Sequence, residues 1–320
     1  MLSRRFLRVK VLQAVYAFVQ QGPESINSGE KQLLSSLDKL YELYIYQFSF
    51  LLEMVEFARR RIEEGKQKYL PSPEDLNPNL RFINNTFIRQ LESNKDLQSK
   101  IHAYKINWSD EEEQVRKCYL QVREMPEYMA YMAARETNYP EDKKIIESVF
   151  LNLIADFELL SSYFEEKSIY WTDDFDTSIM LVVKTIRSFK ESWGEDSPMP
   201  DLLRDQNHPG GSEDLEFMKQ LYRRTLIHNE EFNPVINQYA ENWELDRIAL
   251  IDMVLIKMAI TELMDFPSIP VKVTLNEYIE ISKSFSTPKS KVFINGILDK
   301  VIIDFRQNGR IVKTGRGLRE

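Results

Sequence analysis

The sequence predicts an all-α fold, a helical bundle with an additional helical insertion, and three observations predict it. Glycine is scarce, at 10 in 320 residues, less than half of the roughly 7% average usage that turn-rich β architectures exceed. Apolar residues recur at helical spacing through most of the chain, and proline, glycine and capping residues punctuate those runs. No segment alternates apolar and polar residues with hairpin chemistry at its ends, and no fixed-period repeat is visible. The length suits two domains. A composition that is 43% hydrophobic and 29% charged is that of a folded soluble protein.

Taken in order, Val9, Leu12, Val15, Tyr16 and Val19 predict a first helix running to about Gln21, stopped by Gly22 and Pro23. Residues 31–65 read as a second, long helix. Its aromatic series, Tyr41, Tyr44, Tyr46, Phe48, Phe50 and Phe57, reads as packing surface rather than as a cofactor box. Pro71, Pro73 and Pro78 break that helix, and two or three more follow. Ser109 with Glu112 forms a capping-box signature, so Glu111, Glu112 and Glu113 complement a helix dipole before they suggest a metal site. Residues 142–166 and 177–193 make two further helices. Residues 195–212 concentrate three prolines and two glycines and read as a linker.

After the linker come helices over 214–224, 230–242, 248–265, 275–285 and 292–305. On the wheel of the 248–265 helix, Asp246, Arg247, Lys257, Thr261, Glu262 and Asp265 share one arc while nearly everything else is apolar. That helix belongs at the centre of a bundle. Asp252 lies off the arc among Leu, Ile and Met, so its carboxylate needs a partner inside the fold or on another molecule.

Net charge is −8, but residues 1–23 hold Arg4, Arg5, Arg8 and Lys10 with no acid. Residues 306–320 hold Arg306, Arg310, Lys313, Arg316 and Arg319 against Glu320 alone. An acidic body with two basic ends suggests a localised polyanion contact, although basic termini also serve solubility. The tail, residues 307–320, has too few apolar residues to offset its ordering entropy and is expected to be mobile.

One cysteine, Cys118, excludes an intramolecular disulfide and fits a reducing compartment, the cytoplasm. No run approaches the roughly 18 apolar residues of a membrane-spanning helix. Arg8, Lys10 and Gln13 interrupt what would be the apolar region of a signal peptide. His102, His208, His228 and Cys118 have no metal-ligand spacing, and no Gly-Lys-Ser or Gly-Lys-Thr phosphate loop occurs. No pair of carboxylates stands out for acid and base roles. The sequence therefore predicts no enzyme, no metal and no cofactor.

What remains is binding chemistry. Arg4, Arg5 and Arg8 sit at a helix N-terminus, where positive charge opposes the dipole at about a few tenths of a kcal/mol each. A phosphate partner would offset that, because guanidinium groups bind phosphate oxygens bidentately and release counterions. Gln13 and Tyr16 on the following turns could hydrogen-bond or stack on an unpaired base, though Tyr16 could equally be a core aromatic. A second cluster comprises Lys289, Lys291, Phe293, Asn295 and Lys300. There Thr287 reads as an N-cap and Pro288 as the first helical residue, so Lys289 and Lys291 again oppose a dipole.

These residues carry a resemblance. Ile269-Pro270-Val271-Lys272-Val273, then Asn276-Glu277, Ser282-Lys283-Ser284-Phe285 and Phe293-Ile294-Asn295-Gly296-Ile297-Leu298-Asp299-Lys300 are similar to the C-terminal signature of the NusB transcription antitermination family. Arg4-Arg5-Phe6-Leu7-Arg8 followed by Gln13-Ala14-Val15-Tyr16 resembles that family's arginine-rich first helix. Residues 214–221 and 256–263 resemble its middle helices. Ser286 stands where the family usually has Gly, and Phe6 and Met253 where it often has basic residues.

The resemblance implies a helical RNA-binding bundle from residues 1–20 and 213–306, with residues 21–194 a helical insertion or second subdomain. It implies single-stranded boxA-like ribosomal RNA leader as ligand. The implied partners are the small-subunit ribosomal protein NusE and the RNA polymerase antitermination complex. On this basis Arg4, Arg5, Arg8, Gln13, Tyr16, Lys289, Lys291, Phe293, Asn295 and Lys300 are RNA-contact candidates, and Asp252 a contact to NusE. The alternative is a protein-interaction or ribosome-assembly scaffold with no direct RNA readout. NusB-like domains also occur ahead of RNA cytosine methyltransferases, but that reading requires a glycine-rich cofactor loop and a large α/β domain that this sequence lacks.

Overall fold

The computed structural model describes residues 1–22, 25–136, 138–204, 211–240 and 248–318. Among the described residues the regular elements are all helical, with no strand. The chain opens with α1 (Arg4–Gln21) and the long α2 (Ile26–Lys66). Eight shorter helices follow: α3 (Pro73–Leu76), α4 (Thr86–Ser93), α5 (Lys95–Ala103), α6 (Glu112–Glu124), α7 (Pro126–Ala133), α8 (Tyr139–Asn152), α9 (Glu158–Lys167) and α10 (Phe175–Ser188). Then come α11 (Glu213–Ile227), α12 (Asn229–Tyr239), α13 (Leu250–Asp265), α14 (Val271–Phe285) and α15 (Ser290–Gln307). The chain divides into two compact units, Met1–Ser36 with Leu203–Glu320, and Leu37–Leu202, and the first boundary falls within α2.

In the first unit α13 is the central element, packed by α1, α11, α14 and α15. Every side chain from Val254 to Leu263 is buried, as its nearly all-round apolar sequence requires. Its polar arc is therefore not a solvent face. Lys257 donates to Asn229 Oδ1 at 2.7 Å, Thr261 Oγ1 donates to the Lys257 carbonyl, and Glu262 lies in the core. Asp246 and Arg247 lie outside the described residues. Helix α1 is capped by the Ser3 side chain and closed by Gly22, whose φ of 58° and N–H to the Phe18 carbonyl make a left-handed stop. Its buried residues are Leu7, Arg8, Lys10, Val11, Leu12 and Val15, which keep Leu12 and Val15 of the expected stripe but not the rest, since Val9 and Tyr16 are half-buried and Val19 is exposed. Arg8 occupies a position in that stripe that composition would give to an apolar residue.

The second unit is built on the aromatic face of α2. Tyr44, Tyr46, Phe48 and Phe50 are buried, and Tyr46 meets Trp108, Phe164 and Trp171 edge-on at 5.2–5.8 Å between ring centroids. The two indole N–H groups are satisfied by Ser49 Oγ at 3.0 Å and the Lys39 carbonyl at 2.8 Å. Asp142, buried, accepts from Thr86 N, Thr86 Oγ1 and Tyr131 OH at 2.6–2.7 Å. Cys118 is buried, and desolvation pushes its thiol up to about 12, so it is held as a neutral hydrophobe.

Several local expectations are corrected. Ser109 opens a 3-10 turn and donates to Asn107 Oδ1 instead of capping α6. The 142–166 run is two helices, because the chain leaves helical geometry at Leu153 and passes through the turn Ile154–Asp156, burying Ile154 and Phe157. Helix α15 begins at Ser290, two residues after Pro288, and Thr287 Oγ1 hydrogen-bonds Ser290 Oγ rather than capping the helix. Within the expected linker, Met199, Leu202 and Leu203 are buried, and Ser212 caps α11 while donating to the Arg204 carbonyl. The tail is not a loose basic segment through residue 318. Ile311 is buried, the Thr314 N–H donates to the Pro267 carbonyl at 3.0 Å, and Lys313 Nζ donates to the Phe266 carbonyl at 3.0 Å. One buried side chain and a few main-chain contacts hold it.

Candidate functional site

The N-termini of α1 and α11 meet, and the basic first turn of one faces the acidic first turn of the other. Arg4 bridges Glu213 Oε1 at 2.8 Å and Asp214 Oδ1 at 2.9 Å, with its guanidinium 4.5 Å from the Phe217 ring centroid. Arg5 forks onto Glu277 of α14 through two 2.9 Å hydrogen bonds, and that hydrogen bonding raises its pKa. The arginines that oppose the α1 dipole are thus offset from inside the chain.

Arg8 goes furthest in this direction. Its Nε and Nη2 donate to the two oxygens of Glu262 at 2.7 Å, and Glu262 also accepts from Thr274 Oγ1 at 2.8 Å and Tyr278 OH at 3.2 Å. Both side chains are buried, at 2% and 0% exposed. Burial alone would lower the Arg8 pKa, and the carboxylate against it more than reverses that. Expected on the RNA surface, Arg8 is instead an internal strut between α1, α13 and α14: Nε and Nη2 are engaged by Glu262, and Nη1 lies 3.7 Å from Glu277 at the edge of an adjoining cleft.

Around Arg4 and Arg5 lies an open cleft of about 1480 Å³. Its walls are the start of α1, α11 from Ser212 to Gln220, the turn from Phe266 to Pro270, and Lys272, Val273 and Glu277 of α14. Arg204 and Arg316 also line it. Arg204, Lys272 and Arg316 have no carboxylate within ion-pair distance among the described residues. The cleft therefore presents two half-exposed, internally paired arginines, the edge of the buried Arg8, and three cations with no such partner among the described residues. Sequence reasoning missed Arg204, Lys272 and Arg316 as one group, because no spacing along the chain brings residues of three separate segments together.

The remaining candidates divide. Gln13 and Tyr16 are half-buried on later turns of α1, and Tyr16 OH accepts from Gln20 at 3.1 Å. The second cluster does not line the cleft. Lys289, just before α15, and Lys291 and Lys300 on it are exposed, Asn295 donates to Asp299 at 2.9 Å, and Lys300 donates to the Tyr239 carbonyl at 3.2 Å. Phe293, expected to touch RNA, is buried at 4% exposed and so belongs to the bundle core.

Asp252 is also corrected. It is 4% exposed, and its two oxygens accept from Ser286 Oγ at 2.5 Å and Ser290 Oγ at 2.6 Å. The stranded carboxylate finds its partners within the fold, where it pins the turn between α14 and α15. Ser286, the departure from the family's usual glycine, supplies one of those hydroxyls.

Among the described residues no group of three or more His, Cys, Asp and Glu side chains has metal-holding geometry. No helix among them is long and apolar enough to cross a membrane.

Comparison with known proteins places this unit. The NusB family model matches residues 181–302, which leaves α1 outside the matched segment. The chain is 48% identical over 103 residues to the transcription antitermination protein NusB of Salinibacter ruber, covering 32% of this chain and 64% of that protein. It is 36% identical over 121 residues to the NusB of Geobacter sulfurreducens, covering 38% of this chain and 88% of that protein. Against the NusB of Chloroherpeton thalassium it is 39% identical over 103 residues, 32% of this chain and 49% of that protein. No solved structure is matched. With α11 to α15 folded as one unit, and a relative matched over nearly its whole length, the chain is a member of the NusB family, enlarged by helices beyond the matched segment.

Proposed function

We propose that the chain is an RNA-binding transcription antitermination factor of the cytoplasm. It binds a single-stranded, boxA-like ribosomal RNA leader in the α1–α11–α14 cleft, together with NusE, within the RNA polymerase antitermination complex. The observation that carries this reading is the cleft itself, which gathers Arg4, Arg5, Arg204, Lys272 and Arg316 in a chain of net charge −8. Such a concentration of guanidinium and ammonium groups suits a phosphate backbone. Phosphates would compete with Glu213 and Glu277 for Arg4 and Arg5, so binding is an exchange of internal for external anions. Lys289, Lys291 and Lys300, exposed at the start of and along α15, supply additional positive charge.

A second reading, a scaffold that binds only protein, is favoured by the internal pairing of Arg4 and Arg5. Filter binding of boxA-like and scrambled RNA over a salt series, with and without NusE, separates the two. The RNA reading expects tighter binding of the boxA-like sequence. It also expects Arg4→Ala with Arg5→Ala to flatten the slope of log affinity against log salt by roughly 1.4, about 0.7 for each lost single-strand contact. An unchanged slope would remove these two side chains from the phosphate contact. RNA that does not bind at all would leave the scaffold.

A further inference from the structure

The C-terminal residues 308–318 close back over the turn that forms one wall of the cleft. The Ile311 N–H donates to the Phe305 carbonyl and the Thr314 N–H to the Pro267 carbonyl, each at 3.0 Å. Lys313 reaches inward to the Phe266 carbonyl at 3.0 Å, at a desolvation cost that pushes its pKa down to about 8. Gly317 is buried against the same turn, and a Cβ placed on it would lie 1.9 Å from the Pro267 oxygen. Only glycine permits that approach. Phe266, Ser268, Ile269 and Pro270, on either side of Pro267, line the cleft. The residue between the two glycines of the final turn is Arg316, which is exposed and lines the cleft with Arg4, Arg5 and Lys272.

A basic tail that merely solubilised the chain would need none of these anchors. Here a glycine with no room for a side chain, a half-buried lysine and the Thr314 backbone hydrogen bond fix the tail against the cleft wall, while the Ile311 N–H ties its start to the end of α15. The one guanidinium that faces the cleft from it has no carboxylate partner among the described residues. We propose that residues 308–318 form a strap that completes the cleft, and that Arg316 is a phosphate contact for single-stranded RNA, positioned by Gly317. This rests on the RNA reading of the same cleft. The strap acts as a wall of the site rather than as a free polycation, so its contribution depends on where Arg316 is held as well as on its charge.

The experiment uses the full chain and a single-stranded boxA-like RNA in filter binding across a salt series. Five proteins are compared: the unaltered chain, Arg316→Ala, Arg316→Lys, Gly317→Val, and Arg4→Ala with Arg5→Ala. The expected result is a several-fold loss of low-salt affinity and a slope reduced by about 0.7 for Arg316→Ala, with the slope kept by Arg316→Lys. Gly317→Val changes no charge, yet it should reproduce the Arg316→Ala slope, because it lifts the strap from Pro267. Melting curves check that the bundle is intact. A Gly317→Val protein with the full slope would show a freely acting tail charge and overturn the strap. An unchanged slope in Arg316→Ala would remove the contact. If Arg316→Ala has no effect while Arg4→Ala with Arg5→Ala does, the strap fails and the RNA reading stands. If the unaltered chain binds no RNA, both fail.

Discussion

Arg8 of α1 and Glu262 of α13 face each other through two parallel 2.7 Å hydrogen bonds in the core of the bundle. A buried pair of this kind adds little over an apolar pair of the same volume, but losing one member strands a charge. Arg8→Ala should therefore cost about 3–5 kcal/mol in urea denaturation. Arg8→Met combined with Glu262→Gln, whose amide oxygen can accept from one of the Thr274 and Tyr278 hydroxyls while its NH2 donates to the other, should recover more than half of that. A loss under about 1 kcal/mol in Arg8→Ala would mean that water reaches Glu262 and that the strut is dispensable.

Asp252 should behave as a structural acceptor. Asp252→Ala leaves the Ser286 and Ser290 hydroxyls without their shared carboxylate, and charged hydrogen bonds contribute roughly 1.5–3 kcal/mol each. The expected loss is about 2–4 kcal/mol, read by chemical denaturation. A variant that melts like the parent but loses NusE in a pull-down would restore the interface role.

Glu277 restrains Arg5 through a two-pronged hydrogen bond on the cleft rim. Replacing it by Gln keeps the shape and removes the competing charge. RNA binding at low salt should tighten several-fold, with a steeper salt slope, in the same filter assay. Weaker binding in Glu277→Gln would show that the carboxylate orients Arg5 for RNA instead of competing with it.

Lys313 supplies a pH signature. Burial lowers its pKa from 10.5 to about 8, with Glu262 acting in the opposite sense. Between those two values the unfolded chain binds a proton that the folded one does not, so stability rises with pH across that window. Relative to Lys313→Met, the parent should gain on the order of 1 kcal/mol from pH 8 to 10.5, a figure discounted for the half-exposed ammonium. A flat difference across the window would place the ammonium in water.

The helices and their order were legible because period, caps and breakers are local. Gly22 ends α1 and the all-round apolar run of α13 is central. The helix break at Leu153 was not legible, because what ends that helix is the burial of Ile154 and Phe157, a tertiary demand. The arginines of the first helix could be read as a cluster, but not apportioned. Arg8 shares the buried face of Leu12 and Val15, and the hint of its fate lies far along the chain, in Glu262, one of the few charged residues of the largely apolar α13. Nor is the order of the tail legible, since counting apolar residues overlooks a segment held by a single buried Ile311, a backbone hydrogen bond to Pro267, the Lys313 contact and one close glycine approach.

The partners in the core of the bundle, Arg8 and Glu262, are 254 residues apart in the chain. At roughly 5–20 residues per second of synthesis, α1 waits on the order of 10–50 s after emerging from the ribosome before Glu262 exists. Throughout that interval Arg4, Arg5 and Arg8 are equivalent, an uncompensated basic helix with no acid of its own first turn to neutralise it. The nascent chain thus passes from three arginines without acidic partners to a finished bundle in which Glu262 has claimed one of them.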